Sequence, residues 1–117
     1  MQIAYICSPY RGMTERNRKY AKLLTSLAIE KGYAPVTTHL YLPYVLDDEI
    51  ETERQQALKI GQEILKACDL MIVGTRYGIS DGMRAEIELA KTMGLKIRYA
   101  DNDYIKKTYE SAEIARA

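Results

Sequence analysis

The sequence predicts a single α/β domain in which a parallel sheet of four to five strands is flanked by helices. The length of 117 residues fits one domain and leaves little for a second. With 47% hydrophobic and 28% charged residues, the composition is that of an ordinary globular protein. Short apolar runs alternate with amphipathic segments along the chain, which is typical of parallel sheets with crossover helices.

A strand and a helix are predicted at the start of the sequence. Residues 2–7 form a short, partly β-branched apolar run, which suits a buried strand. Residues 8–12 interrupt it with proline and glycine. A helix is predicted from Thr14, as N-cap, to about Lys31, because its apolar residues fall on one face. Gly32 stands where a C-terminal cap is expected.

A second strand and a long irregular segment follow. Residues 33–38 are predicted to form a strand, and Pro35 favours an edge position because proline cannot donate to the hydrogen-bond ladder. Residues 39–51 contain another proline and the acidic cluster 47–49. Because this segment is long for a connection in so small a domain, we expect it to be a functional loop.

The second half of the sequence alternates helices and strands. The predicted elements are a helix at about 52–68, a strand at 69–74, a helix at 83–93 closed by Gly94, a strand at 96–99 and a last helix from Asp101 or Asp103 to Ala117. The whole order predicts a three-layer sandwich of the Rossmann or flavodoxin-like kind, with right-handed crossovers. Ligands bind such folds beyond the carboxyl ends of the strands, so the loops after the first and third strands are the candidate site.

Composition and charge argue against several classes of partner and cofactor. A net charge of +1 gives no long-range field for binding a nucleic acid polymer, and no apolar stretch approaches the roughly 20 residues of a membrane span. The N-terminus lacks signal-peptide features. Cys7 and Cys68 have no metal-ligand spacing, so we interpret them as reduced core thiols of a cytoplasmic protein, with a disulfide as the alternative. The sequence contains no Gly-x-Gly-x-x-Gly motif, which argues against binding of a dinucleotide. No cofactor or metal is expected.

The loop after the first strand combines Ser8, Arg11 and Gly12. A hydroxyl, a guanidinium and a glycine beside a helix N-terminus suit an anion such as phosphate. The alternative is an ordinary strand-to-helix turn with a surface arginine. All ten aromatic residues are tyrosines, and a tyrosine in a loop either stacks on a base or fills a half-buried position. The tyrosines considered for stacking are Tyr10, Tyr41 and Tyr77.

The loop after the third strand leads into a helix that carries Glu86. Gly82 permits close approach of a ligand to the backbone, and Ser80 or Asp81 can cap the helix. Glu86 borders the apolar stripe near the helix N-terminus, where the helix dipole favours the ionised carboxylate. A positioned carboxylate of this kind is what attack on a sugar anomeric carbon requires. The alternative is a solvent-facing glutamate.

Three segments, in this order, resemble one superfamily of nucleoside enzymes. They read YICSPYRG at 5–12, CDLMIV at 68–73 and SDGMRAEI at 80–87. The set resembles the nucleoside 2-deoxyribosyltransferases and, more closely, the related 2′-deoxynucleoside 5′-phosphate N-hydrolases. A small, often phage-borne branch of the same superfamily is similar also at 35–40 and 46–48.

The resemblance implies roles for individual residues. Glu86 matches the nucleophile of the family, which attacks C1′ and forms a glycosyl-enzyme ester. The matching substrate-binding residues are Ser8, Arg11 and Gly12 at the sugar and 5′-phosphate, Ser80, Gly82 and Met83 on the second side of the pocket, and Tyr5 near the sugar. Tyr10, as a stacking ring, and Asp48, as a polar group of the long loop, complete the predicted set.

One position departs from the family pattern. The family places an acid that assists the leaving base eight residues before the Asp of the third strand, and that position is Gly61 here. Asp47, Asp48 or Glu63 could take over this role. Loss of a general acid typically costs about 10²–10⁴ in rate. The chain is therefore expected to be a slow enzyme, an enzyme for a better leaving group, or a binder without turnover.

The sequence leaves two main hypotheses for function. The first is an N-glycosidase or nucleoside deoxyribosyltransferase that uses Glu86 against a small-molecule nucleoside or nucleotide. The second is a catalytically silent protein that binds a nucleotide signal in order to sense or sequester it. An interaction module without a ligand is a third alternative. The resemblance also implies a homo-oligomer, a dimer or larger.

Overall fold

Four short strands with alternating side chains form a parallel sheet that has an apolar core on each face. The computed structural model describes residues 1–100. Its elements are β1 (Ile3–Cys7), α1 (Thr14–Glu30), β2 (Ala34–Val36), α2 (Glu51–Lys66), β3 (Leu70–Gly74), α3 (Asp81–Thr92) and β4 (Lys96–Ala100). The strand and helix order confirms the predicted α/β fold class. The helix predicted after Asp101 lies outside the described residues.

The strand order places a topological switch between β1 and β3. The order across the sheet is β2-β1-β3-β4, and every pair is parallel. The chain passes from β1 to β2 on one side, and then crosses back to β3 on the other side of β1. Pro35 lies in the edge strand β2, as predicted, where its missing N–H interrupts no central ladder. The loops that leave β1 and β3 therefore meet at the switch, where such folds bind ligands.

Alternate residues of β1 belong to different cores. Ala4 and Ile6 pack in the core that contains α1. Tyr5 and Cys7 pack in the other core, which contains residues of α2 and α3. This division follows from the two-residue period of a strand, which sends successive side chains to opposite faces. It directs one tyrosine and one thiol from the central strand toward α3.

The helix ends agree with the predicted signals except at the start of α1. Thr14 is the first helical residue rather than the N-cap, which is Met13, and no side chain caps this end. The prediction of Thr14 as N-cap was therefore wrong by one position. At the other end, Gly32 has φ +87° and its N–H bonds the carbonyl of Ile29, while the N–H of Tyr33 bonds that of Ala28. This pair of bonds is a Schellman motif, which needs a residue that tolerates positive φ.

The segment between β2 and α2 contains two short 3₁₀ helices, at Thr38–Leu40 and Leu42–Tyr44. This segment was predicted to be irregular, and the short helices turn it back over the carboxyl end of the sheet. No helix in the part of the chain that the structure describes is long and apolar enough to cross a membrane.

Candidate functional site

A cavity of about 330 Å³ opens at the carboxyl ends of β1 and β3. It is lined by the loop after β1, the 38–48 segment, one face of α2 and the start of α3. The volume lies at the lower end of the range of small-molecule sites. The position is the one predicted from the alternating order of strands and helices, because the topological switch of the sheet lies directly beneath it.

The floor of the cavity holds Glu86 between two donors from β1. The hydroxyl of Tyr5 donates a hydrogen bond to Oε2 of Glu86. The thiol of Cys7 lies 3.9 Å from Oε1 of the same carboxylate and 3.8 Å from the carbonyl oxygen of Met83, so it can donate a hydrogen bond to either oxygen. Each carboxylate oxygen thus faces one neutral donor. The side chain of Glu86 thus points toward β1, and the alternative of a solvent-facing glutamate does not agree with these contacts.

Burial sets the protonation of these three groups. It raises the pKa of Glu86 to about 7, although the hydrogen bonds from Tyr5 and Cys7 act in the opposite direction. The pKa of Tyr5 rises well above its ordinary value, first through burial and then through the negative charge of Glu86. The pKa of the Cys7 thiol rises for the same two reasons. Tyr5 and Cys7 therefore remain protonated donors, while Glu86 titrates near neutral pH.

The face of α2 that meets this carboxylate carries no side chain at position 61. A Cβ atom placed on Gly61 would lie 3.2 Å from the Tyr5 hydroxyl and 4.0 Å from Oε2 of Glu86. Gly61 is buried and lines the cavity, and the absence of a side chain there leaves room for the Tyr5 hydroxyl. The stripe of apolar residues predicts the helix α2. The close approach of the Tyr5 hydroxyl to Gly61 depends on tertiary packing, so the sequence does not predict it.

The three acids that could replace a side chain at position 61 have different locations. Glu63 is exposed, forms an ion pair of 2.9 Å with Lys66 and does not line the cavity. Asp47 lines a neighbouring groove rather than the cavity. Asp48 lines the cavity, but its Oδ2 lies 2.8 Å from Nε of Arg11. Of the three, Asp48 alone has access to a bound ligand, and it is already paired.

The loop after β1 is held from inside by Asn17. The side-chain amide of this buried residue of α1 donates to the carbonyl oxygens of Tyr10 and Arg11, at 3.0 and 3.2 Å. Ser8 is 1% exposed and lines the cavity, and within residues 1–100 its hydroxyl has no hydrogen-bond partner. Buried hydroxyls are normally paired, so this one is available to a ligand. Gly12, at φ +91°, lines the adjacent groove instead of the cavity.

His39, the one histidine of the chain, lines the cavity and was not among the predicted site residues. Its Nε2 lies 3.0 Å from the carbonyl oxygen of Ser8, and its ring stacks on Tyr10 with centroids 5.3 Å apart. Burial lowers the pKa of His39, so the neutral imidazole is favoured. A lone histidine in an irregular segment carries no local signal, because its place in the cavity depends on how the 38–48 segment folds back.

The second wall of the cavity is the N-terminus of α3. Ser80 is its N-cap, and its hydroxyl accepts a hydrogen bond from the N–H of Met83 at 3.3 Å. Ser80, Gly82 and Met83 all line the cavity, as does Tyr10 on the first wall. Tyr41 and Tyr77 do not line it. Tyr77 instead packs edge-on against another ring, with centroids 5.1 Å apart.

Both cysteines are free and buried, so the alternative of a disulfide between Cys7 and Cys68 is not realised. Among residues 1–100, no group of three or more His, Cys, Asp or Glu side chains could hold a metal ion.

Comparisons with known proteins agree with the geometry at the level of the fold. Residues 2–100 match the model of a family described as Domain of unknown function (DUF7768). A 2-deoxyribosyltransferase from Bacillus psychrosaccharolyticus has a similar structure, with a TM-score of 0.65 and 17% identity over 83% of this chain and 70% of that chain. A 2-desoxiribosyltransferase from Leishmania mexicana is similar with a TM-score of 0.56 and 16% identity, over 85% of this chain and 63% of that chain. A comparison with curated proteins found no match.

Proposed function

The chain belongs to the family described as Domain of unknown function (DUF7768). We propose that it binds a nucleoside or nucleotide and either cleaves the N-glycosidic bond or transfers the sugar to another base. The observation that carries the proposal is Glu86, a carboxylate enclosed by two neutral donors at the floor of the cavity. The fold that the chain shares with 2-deoxyribosyltransferases supports the same chemistry.

In the proposed reaction, one oxygen of ionised Glu86 attacks C1′ of the sugar. The C1′–N bond breaks through an oxocarbenium-like transition state, and its electron pair leaves with the base. The product is a glycosyl ester of Glu86, which either water or a second base then cleaves. Hydrogen bonds from Tyr5 and Cys7 orient the carboxylate without neutralising it, and this preorganisation favours a near-attack distance of about 3–3.5 Å.

The rim of the cavity suits the sugar and an anionic substituent. The unpartnered hydroxyl of Ser8 is available for a sugar oxygen. Arg11 contacts Asp48 through Nε, and among residues 1–100 its terminal guanidinium nitrogens donate no hydrogen bond, so they are available to a phosphate. Arg11→Ala is expected to weaken binding of a nucleoside 5′-phosphate by about 1.5–3 kcal/mol. Unchanged affinity in calorimetry would remove Arg11 from the site.

A second candidate is a protein that binds a nucleotide without turnover. It is favoured by Gly61, because position 61 of α2, beside Glu86, carries no acidic side chain that could protonate a departing base. In this case the carboxylate would accept hydrogen bonds from sugar hydroxyls and would form no ester.

Base release separates the two candidates. Wild type, Glu86→Gln and the control Glu88→Gln are incubated with a panel of nucleosides and nucleotides, and released base is measured by chromatography. Glu88 is exposed and lies on the same helix, so the control repeats the chemical change away from the cavity. The enzyme proposal predicts release by wild type and Glu88→Gln but not by Glu86→Gln. Release at equal rates by all three proteins would refute the role of Glu86.

A further inference from the structure

Glu86 is a partly buried carboxylate without a positively charged neighbour among residues 1–100. Within residues 1–100, no lysine, arginine or histidine nitrogen lies within 4.0 Å of its oxygens. Its contacts are the neutral donors Tyr5 and Cys7. Ionised groups in protein interiors are normally paired, because an unpaired charge loses its hydration. The cavity floor therefore has room for a positive charge that a ligand would bring.

Among residues 1–100, no acidic side chain of the cavity lining contacts Glu86 or stands beside it at position 61, where it could protonate a departing base. Asp48 is paired with Arg11, and Oε1 of Glu53 accepts a hydrogen bond from the backbone. Asp81 is exposed in the first turn of α3. Gly61 presents no side chain toward Glu86.

His39, another titratable group of the cavity lining, cannot serve as an acid in its neutral form. The Nε2 atom must carry the imidazole proton, because its partner is the carbonyl oxygen of Ser8, which can only accept. The other ring nitrogen is then an acceptor. Burial favours this neutral form.

The nature of the leaving group decides whether this lack matters. A neutral purine or pyrimidine leaves as an anion unless an acid protonates it, and losing such an acid typically costs about 10²–10⁴ in rate. A base that is already cationic in the glycoside takes the electron pair of the C1′–N bond and leaves as a neutral molecule. No proton is needed in that step.

We propose that the preferred substrates are N-glycosides whose base carries a positive charge, such as pyridinium glycosides and N7-alkylated purine nucleosides or nucleotides. The inference rests on the proposed function of Glu86. The carboxylate attacks C1′, the C1′–N bond breaks, and its electrons neutralise the ring nitrogen. Water then cleaves the glycosyl ester, which returns the carboxylate, frees the sugar and releases one proton to solvent.

The other groups of the lining fit a cationic ring. Among residues 1–100, four carboxyl groups and two guanidinium groups line the cavity; the carboxyl groups belong to Asp48, Glu53, Asp81 and Glu86, and the guanidinium groups to Arg11 and Arg54. The ring of Tyr10 also lines the cavity, with one face stacked on His39, and the faces of aromatic rings attract cations. Arg11 at the rim remains available for a 5′-phosphate on the same substrate.

A matched pair of substrates tests the inference. Guanosine 5′-monophosphate and its N7-methyl derivative differ by one methyl group and one charge, and nicotinamide mononucleotide adds a second cationic base. Base release by wild type, Glu86→Gln and Glu88→Gln is measured at neutral pH, and the spontaneous rate of each compound is subtracted. The proposal predicts a kcat/KM at least about 100-fold higher for the two cationic substrates, and no release by Glu86→Gln.

The possible results separate the inference from the function on which it rests. Glu86-dependent release from the neutral nucleotide within tenfold of its methylated partner would overturn the preference for cations and leave the proposed function intact. If no compound loses its base in a Glu86-dependent way, both the inference and the enzymatic function are overturned. A preference for the cationic pair that survives in Glu86→Gln would also overturn the inference, because the charge that it invokes is absent from that variant.

Discussion

The change in unfolding free energy caused by Glu86→Gln should be more stabilising at neutral pH than at acid pH. In the folded protein the pKa of this carboxyl is about 7, raised from an ordinary 4.5 mainly by burial. At pH values below about 4.5 the group is protonated in both the folded and the unfolded chain, and the shift costs nothing. As the pH rises toward 7, the unfolded chain ionises first, and the folded state loses stability until its own carboxyl ionises.

The magnitude follows from the size of the shift. One pKa unit corresponds to about 1.4 kcal/mol, so the ionised carboxylate at position 86 should cost the fold about 3 kcal/mol above pH 7. Glutamine has the same shape and no charge. The difference in unfolding free energy between Glu86→Gln and wild type should therefore increase by about 3 kcal/mol between about pH 4 and pH 8. The lowered pKa of His39 makes the unfolding free energy increase with pH, which is the opposite direction. Because His39 is present in both proteins, its contribution cancels in the difference between variant and wild type.

Urea denaturation at these two pH values measures the effect. Glu88→Gln serves as the control, because it makes the same change on an exposed part of the same helix. Its difference from wild type should vary by no more than a few tenths of a kcal/mol, as is usual for an exposed pair. Parallel pH profiles for wild type and Glu86→Gln would show that the carboxyl titrates normally and would refute the account of the cavity floor.

Three further substitutions test the packing around the site. Gly74→Ala should lower the unfolding free energy by about 1–3 kcal/mol, because its Cβ would lie 2.7 Å from a tyrosine hydroxyl of α1. Gly82→Ala is the control, with no atom within 4 Å of its Cβ, and equal losses in urea would contradict the steric argument. Asn17→Ala should cost about 1–3 kcal/mol by leaving two loop carbonyls without their donor; an unchanged denaturation midpoint would speak against that anchor. Tyr5→Phe should raise the pKa of Glu86 by about one unit, followed by NMR titration of its carboxyl carbon, and a fall in that pKa would exclude Tyr5 as its donor.

The fold was predictable because its signals are local. The strands are short apolar runs, and the helices carry stripes that repeat every three to four residues. Gly32 marks a helix end through its positive φ, and Pro35 marks an edge strand through its missing N–H. Thr14 was assigned the wrong cap position because several consecutive residues could begin the helix, and only the backbone angles distinguish them.

The geometry of the site depends on contacts between distant parts of the chain. Tyr5 meets Glu86 across 81 positions, and no local pattern encodes that pairing. The sequence indicates Gly61 as an unusual residue, but only packing explains its use, since the Tyr5 hydroxyl occupies the space beside it. His39 and Asn17 were missed for the same reason: their partners are backbone carbonyls of a loop whose path the sequence does not specify.

Two carboxylates at opposite ends of the sheet have contrasting roles. Asp69, at the amino end of β3, accepts a hydrogen bond of 2.7 Å from the N–H of Ile3 and so helps to close the β1–β3 ladder. Glu86, at the carboxyl end, accepts no hydrogen bond from a backbone N–H of residues 1–100, and burial moves its pKa toward neutrality. At neutral pH and above, the raised pKa of Glu86 makes its negative charge unfavourable for the stability of the fold. A carboxyl group that destabilises the fold, faces a cavity and is oriented by two donors has the features typical of a functional site.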